Sequence, residues 1–201
     1  MANEPKQDRS RETRRRLLEC TMRMVAERGL QGTTVGLVAE EAGVSRGAAQ
    51  HHFPTREALM KEAIDKLAHE RTTALSEAMA ALDAGPGGAP VEDVLRLLFR
   101  EFSNDLFHAA VHIWAGAAAE ESLRDVILPA EATYNRRVYE LTAAALHADL
   151  SDQHTRRLIT MLLDIARGLG LSSMLVDTAA QTERAVAAYS RMLGSIARLD
   201  D

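Results

Sequence analysis

Apolar residues recur along this chain three and four positions apart, the spacing of one face of a helix. Leu17, Leu18, Thr21, Met24 and Val25 form one such stripe, predicting a helix from near Ser10 or Arg11 to Gly29, with residues 1–10 as a loose basic arm. Two short helices are predicted at about 34–42 and 45–52, then a long one from Thr55, a good N-cap after Pro54, to Asp83. "AGPGGAP", residues 84–90, is the clearest break and reads as a flexible loop. Helices follow at about 91–102, 104–119 and 122–147, with Pro129 either kinking the last or marking a fresh start. The stretch 151–177 begins at the cap candidate Ser151 and repeats Leu158, Leu162, Ile165, Ala166 and Leu169 on one face. The stretch 182–199 does the same with Val186, Tyr189, Leu193 and Ile196. Strand-favouring residues are sparse while Ala, Leu, Arg and Glu dominate, so the expectation is an all-α chain of about nine helices.

Composition narrows the function classes. The 201 residues are 46% hydrophobic and 26% charged, ordinary for a globular protein. The net charge of −5 is unevenly spread: residues 1–60 hold 10 Lys and Arg against 8 Asp and Glu, the remainder 14 against 21. Either the front meets a polyanion or the two parts merely differ in their solvated faces. Cys20, the single cysteine, excludes an internal disulfide and a multi-cysteine metal cluster; at the edge of an apolar face it reads as a packed thiol and fits a reducing cytosol. No apolar run approaches the roughly 18 residues of a membrane span, and the polar start lacks a signal-peptide core, so a cytoplasmic protein without membrane contact is expected. There is no glycine-rich phosphate loop, no G-x-S-x-G elbow and no zinc-protease motif, so neither an enzyme nor a cofactor is expected. His108 and His112, four apart on one helix, bind zinc only if a third ligand joins them; Glu120 and Glu121 lie two turns further on, and no metal site is expected.

The densest signal is "TTVGLVAEEAGVSRGAAQHHF", Thr33 to Phe53. Val35, Val38, Ala39 and Ala42 face inward together, Gly43 suits a left-handed corner, and Ser45 can cap the next helix. There Ala49, His52 and Phe53 continue the inward face behind Val44, leaving Arg46, Gly47, Ala48, Gln50 and His51 pointing out. Two short helices at a tight corner are the layout of a helix-turn-helix, whose second helix enters the major groove. Gly47 and Ala48 allow close backbone approach, Ala48 suits a thymine methyl, and Arg46, Gln50 and His51 can bond to bases or phosphates.

"TTVGLVAEEAGVSRGAAQHHFPTREALMKEAI", preceded by "RRRLLECTMRMVAERGLQG", resembles the N-terminal DNA-binding domain of the tetracycline-repressor (TetR) family of bacterial regulators, over about residues 11–66. The resemblance implies a three-helix DNA-binding domain at 11–55, its helix-turn-helix at about 34–53, and a helical effector-binding and dimerisation domain at 56–201. It places Thr33 and Thr34 among the DNA-facing residues, Thr34 capping the second helix against a phosphate. Arg56 stands where the family commonly carries lysine, as another phosphate contact. Two departures stand out: Gln50 replaces a tyrosine that usually holds the DNA backbone, and Gly36 and Leu37 occupy usually polar positions.

The resemblance further implies a homodimer formed by the last two helices, with Leu158, Leu162, Ile165, Leu169, Val186, Tyr189, Leu193 and Ile196 as interface residues. Gly168 and Gly170 serve either that contact or packing within the chain. Between the domains' ends, Phe102, His108, His112, Trp114 and Tyr134 are candidates for an effector pocket or ordinary core, and the composition favours an apolar or amphipathic small molecule. The expected function is a ligand-responsive repressor bound as a dimer to a palindromic operator. The alternative is a helical adaptor acting only through protein contacts.

Overall fold

The computed structural model describes residues 4–30 and 32–199, and among them the chain forms nine helices and no strand. They are α1 (Glu4–Arg28), α2 (Val35–Glu41), α3 (Arg46–His52), α4 (Arg56–Ala80), α5 (Val91–Glu101), α6 (Asp105–Ala118), α7 (Glu121–Ala145), α8 (Gln153–Ser173) and α9 (Ala179–Leu193). Helix α1 begins well ahead of Ser10, so most of the expected arm is helical; residues 1–3 lie outside the described residues. A polar segment needs no buried face to extend a helix that is already nucleated. Arg15 supports the exposed side of α1 by pairing with Glu12 at 2.6 Å and Glu19 at 2.8 Å.

Contacts group the described residues into two compact units. The first runs up to His69 and includes Ala109–Ala132; the second comprises Glu70–His108 and the residues from Thr133 on. The helix-turn-helix segment is therefore grouped with the first half of α4 and with parts of α6 and α7, and α4, α6 and α7 each contribute to both units.

In the first unit Leu17, Leu18 and Met24 of α1, Val38 and Ala39 of α2, Ala49 of α3, Phe53, and Leu59 and Ala63 of α4 make one core. Gly29 ends α1 at φ +70° and Gly43 turns the corner at φ +62°, both conformations that cost an L side chain dearly. Gly116 of α6 admits Leu30: a Cβ there would lie 2.6 Å from the leucine side chain.

In the second unit α5 packs against α8 and α9, burying Val94, Leu95, Leu98 and Phe99. This packing corrects the assignment of the dimer face. Leu158 and Leu162 of α8, Val186 and Leu193 of α9, and Ile196 beyond it are buried inside the chain, while Ile165, Leu169 and Tyr189 are half-buried. Apolar periodicity reveals a stripe without revealing which neighbour covers it. The apolar residues left on the surface of α8 and α9 are Met161, Leu171 and Met192, followed after α8 by Leu175 and Val176. Gly170 also serves intrachain packing, since a Cβ there would lie 1.6 Å from the Phe102 carbonyl oxygen; nothing crowds Gly168.

Three local expectations change. The cap of α8 is Asp152 rather than Ser151, its carboxylate accepting from the Thr155 N–H at 2.7 Å. Helix α7 continues through Pro129 without a fresh start. The far end of the 84–90 loop is pinned, the Ala89 N–H donating to the Ala145 carbonyl at 2.7 Å.

Gly170→Ala is expected to destabilise the chain by about 1–3 kcal/mol or more through overpacking, whereas Gly168→Ala gains up to about 1 kcal/mol of helix propensity; urea unfolding separates them. The backbone N–H and then the hydroxyl of Thr155 hold the Asp152 carboxyl below its ordinary value of 3.8. Its stabilising contribution is present above pH 3.8 and fades as pH falls through the lower folded-state value. Asp152→Ala is therefore expected to lower Tm at neutral pH, with the gap to the wild type closing below pH 3.8 in thermal melts.

Candidate nucleic-acid interface

Helices α2 and α3 span seven residues each, too short to persist unaided, and caps and burial hold them. The Thr34 hydroxyl accepts from the Leu37 N–H at 3.3 Å, and the Ser45 hydroxyl from the Ala48 N–H at 3.2 Å. Between them the Val44 N–H donates to the Ala39 carbonyl at 2.8 Å, closing the corner. Ala39 and Ala49 are fully buried and Phe53 nearly so, which fixes the rotation of α3. Its opposite side exposes Arg46, Gly47, Gln50 and His51, with Ala48 half-buried at the edge. Among the described residues Arg46 makes no hydrogen bond or ion pair. A Cβ at Gly47 would meet nothing within 4 Å, so this part of α3 offers bare backbone to an approaching surface. No carboxylate interrupts α3.

The inward histidine differs from the outward one. Burial, followed by the charges of His51 and Arg14, pushes the His52 ring below the usual histidine range, leaving it neutral at pH 7. His51 is exposed and lies edge-on to it, ring centres 5.7 Å apart. Burial likewise raises the Cys20 thiol, which is packed in the core.

Two residues expected to face DNA are committed inside the protein. Thr33 is fully buried and its hydroxyl donates to the Gly29 carbonyl at 2.9 Å. Arg56, expected to contact a phosphate, is a tie: Nε donates to the Thr33 carbonyl at 3.1 Å, Nη2 to the Leu30 carbonyl at 2.6 Å, and Nη1 to the Glu120 carboxylate at 2.9 and 3.1 Å. Its planar fork reaches three groups that a lysine could not serve together. Three arginines of "RSRETRRR" are also engaged. Arg14 pairs with Glu62, Arg15 with Glu12 and Glu19, and Arg16 donates to the Ala42 carbonyl.

The pocket candidates divide between the units. In the second, Phe102 meets Phe107 edge-on with ring centres 5.4 Å apart, His108 Nε2 lies 3.1 Å from Ser173 Oγ, and the Tyr134 hydroxyl donates to Glu101 at 2.8 Å. The exposed His112 and half-buried Trp114 belong to the first unit. Sequence reasoning missed Arg71 and Glu101, both buried and paired at 3.1 Å. Each stands on an apolar stripe, Arg71 midway between Leu67 and Leu75, Glu101 four residues after Leu97, and a charge at such a position was the available signal. No group of three or more His, Cys, Asp or Glu suited to a metal ion occurs among the described residues, and no helix there is long and apolar enough to cross a membrane.

The family profile described as bacterial regulatory proteins, tetR family, matches residues 17–63, the segment that builds this corner. The chain is a transcriptional regulator with a TetR-type DNA-binding domain. The regulator is 36% identical over 94 residues to the HTH-type transcriptional regulator PksA of Bacillus subtilis (strain 168), covering 47% of this chain and 43% of that relative. It is 26% identical to the HTH-type transcriptional regulator CymR of Pseudomonas putida over 83% of this chain and 82% of the relative. Its fold matches that of a TetR-family member from Streptomyces coelicolor A3 with a TM-score of 0.68 at 24% identity, covering 90% and 98% of the two chains. A transcriptional regulator of Saccharomonospora viridis solved with choline has the same fold, with a TM-score of 0.65, 18% identity and coverage of 93% and 99%. DNA binding by a helix-turn-helix and regulation of transcription follow from this domain and these relatives, and enzymatic activity does not belong to such regulators.

Arg56→Ala is expected to cost about 1–3 kcal/mol of stability by stranding two carbonyls and a carboxylate. It leaves the slope of log DNA affinity against log salt unchanged, where removing a phosphate ligand would reduce that slope by about one per subunit. Thermal melts and a salt series of anisotropy titrations measure the two effects.

Proposed function

We propose that the regulator is a homodimeric repressor that holds a palindromic operator and releases it when a small-molecule effector binds the second unit. The observation that carries this reading is the outer side of α3: an unpaired arginine, an open glycine backbone, a glutamine and an exposed histidine, on a helix whose rotation the core fixes. Arg46 and Gln50 read base edges or phosphates, and Gly47 and Ala48 bring the backbone close. One helix of seven residues reads too few bases for a unique site, so a two-fold pair with half-sites roughly 34–36 Å apart supplies the specificity.

The exposed Met161 and Leu171 of α8 and Met192 of α9 support a dimer face on these helices, with the half-buried Ile165, Leu169 and Tyr189 at its margin. Phe102, His108 and Tyr134 support an effector site in the second unit, and choline in the Saccharomonospora viridis regulator supports ligand binding by this fold. The effector is apolar or amphipathic. It selects a conformation whose α3 helices no longer match the operator spacing, through different affinities for the two states. Helices α4, α6 and α7, each contributing to both units, are the carriers of that change, and the Arg56–Glu120 bond is where it meets the helix-turn-helix. The work is done in the cytoplasm, where the DNA is.

The test is fluorescence-anisotropy titration against the DNA flanking the regulator's own gene, with an unrelated duplex as control. Arg46→Ala and Gln50→Ala are each expected to lower operator affinity by about 1–3 kcal/mol per half-site, with an unchanged elution volume in size-exclusion chromatography. Unchanged affinity in both variants would overturn the docking through α3 and leave a helical adaptor that acts only on proteins.

A further inference from the structure

Arg71 of α4 is 2% exposed, four residues from Leu67 on one side and from Leu75 on the other. Its Nε donates to Glu101 Oε1 at 3.1 Å, the same oxygen accepts from the Tyr134 hydroxyl at 2.8 Å, and Glu101 Oε2 accepts from Asn104 Nδ2 at 3.2 Å. The carboxylate is thus served by three donors. The guanidinium carbon lies over the Tyr134 ring, 4.1 Å from its centre, and 5.7 Å from the centre of Phe107. Aromatic faces with a carboxylate form the kind of box that holds an organic cation. Here the chain's own arginine fills it.

What that arrangement leaves unmet is a donor, because Arg71 Nη2 is buried and has no hydrogen-bond partner among the described residues. Buried polar groups are nearly always paired, so this one points to an acceptor from outside. Phe107 packs edge-on against Phe102, and the Arg167 guanidinium carbon lies 5.6 Å from the Phe102 ring centre. Arg167 is itself served, by Asp164 at 2.7 Å and Asn135 at 3.2 Å, so the unmet donor beside these rings belongs to Arg71.

We infer that the effector is an apolar molecule carrying a carboxylate, which accepts a hydrogen bond from Arg71 Nη2 against the Tyr134, Phe107 and Phe102 rings, and that organic cations are not its effectors. This rests on the reading of the second unit as an effector site and names the chemistry of that site. A carboxylate on a guanidinium is the stronger kind of hydrogen bond, and the aromatic walls suit a flat apolar body.

The experiment is ligand-observed NMR titration of the purified full chain with benzoate and with benzamidine, which share a ring and a planar head group of opposite charge. The wild type is expected to bind benzoate at least tenfold more tightly than benzamidine. Arg71→Met should weaken benzoate at least tenfold and, with Glu101 left alone, admit benzamidine. Glu101→Gln, which keeps the arginine and removes the competing charge, should tighten benzoate several-fold; if Arg71→Met does not fold, this variant decides. Absence of benzoate binding, preference for benzamidine, unchanged benzoate affinity in folded Arg71→Met, or weaker benzoate in Glu101→Gln each overturns the inference. Operator titrations on the same preparations keep the two readings apart. A wild type that binds operator but not benzoate sinks only the effector chemistry, and one that binds benzoate but no DNA sinks only the repressor.

Discussion

A helix of two turns cannot stand alone in water, and α3, the second helix of this helix-turn-helix, is such a helix. Everything α3 presents depends on burying Ala49 and Phe53 against Val38 and Ala39, with Ser45 capping its start. Ala39 and Ala49 are buried in one core, so the rotation of α3 is set by contact instead of by its own propensity. The outward residues are then whatever the inward ones leave. Arg46 and Gln50 face solvent because Ala49 cannot.

A second constraint sits behind the first. Arg56 gathers the carbonyls of Leu30 and Thr33 and the carboxylate of Glu120 onto one guanidinium, and Gly116 lets Leu30 lie against α6. The loop before α2 is thereby held to α4 and to the residue just ahead of α7. Charge near the DNA-binding segment is spent the same way. Arg14, Arg15 and Arg16 serve internal partners, while Arg46 does not.

Much of this was legible in the chain. Gly29, Gly43, Thr34, Ser45 and Thr55 announce their turns and caps by chemistry that acts within four residues, and the structure uses each of them so. The inward and outward sides of α3 followed from spacing alone. What failed was anything decided by a distant neighbour. The stripes on α8 and α9 are real, but α5 covers much of them, so Leu158, Leu162, Val186, Leu193 and Ile196 belong to the core. Arg56 sits where a phosphate contact is expected, yet its long side chain folds back on backbone carbonyls that no local pattern reveals. Gly170 stood open between a subunit contact and packing within the chain, and the Phe102 carbonyl beside it decides for packing.

The open space at Gly47 has an evolutionary reading. Side chains added there point away from every packed atom, as do those at Gly36, so the determinants of base preference can be rewritten without disturbing the core that orients them. A duplicated copy of such a gene could change its target by single substitutions while its fold stayed as it was. Separating the residues that aim from those that read makes a lineage of regulators cheap to diversify.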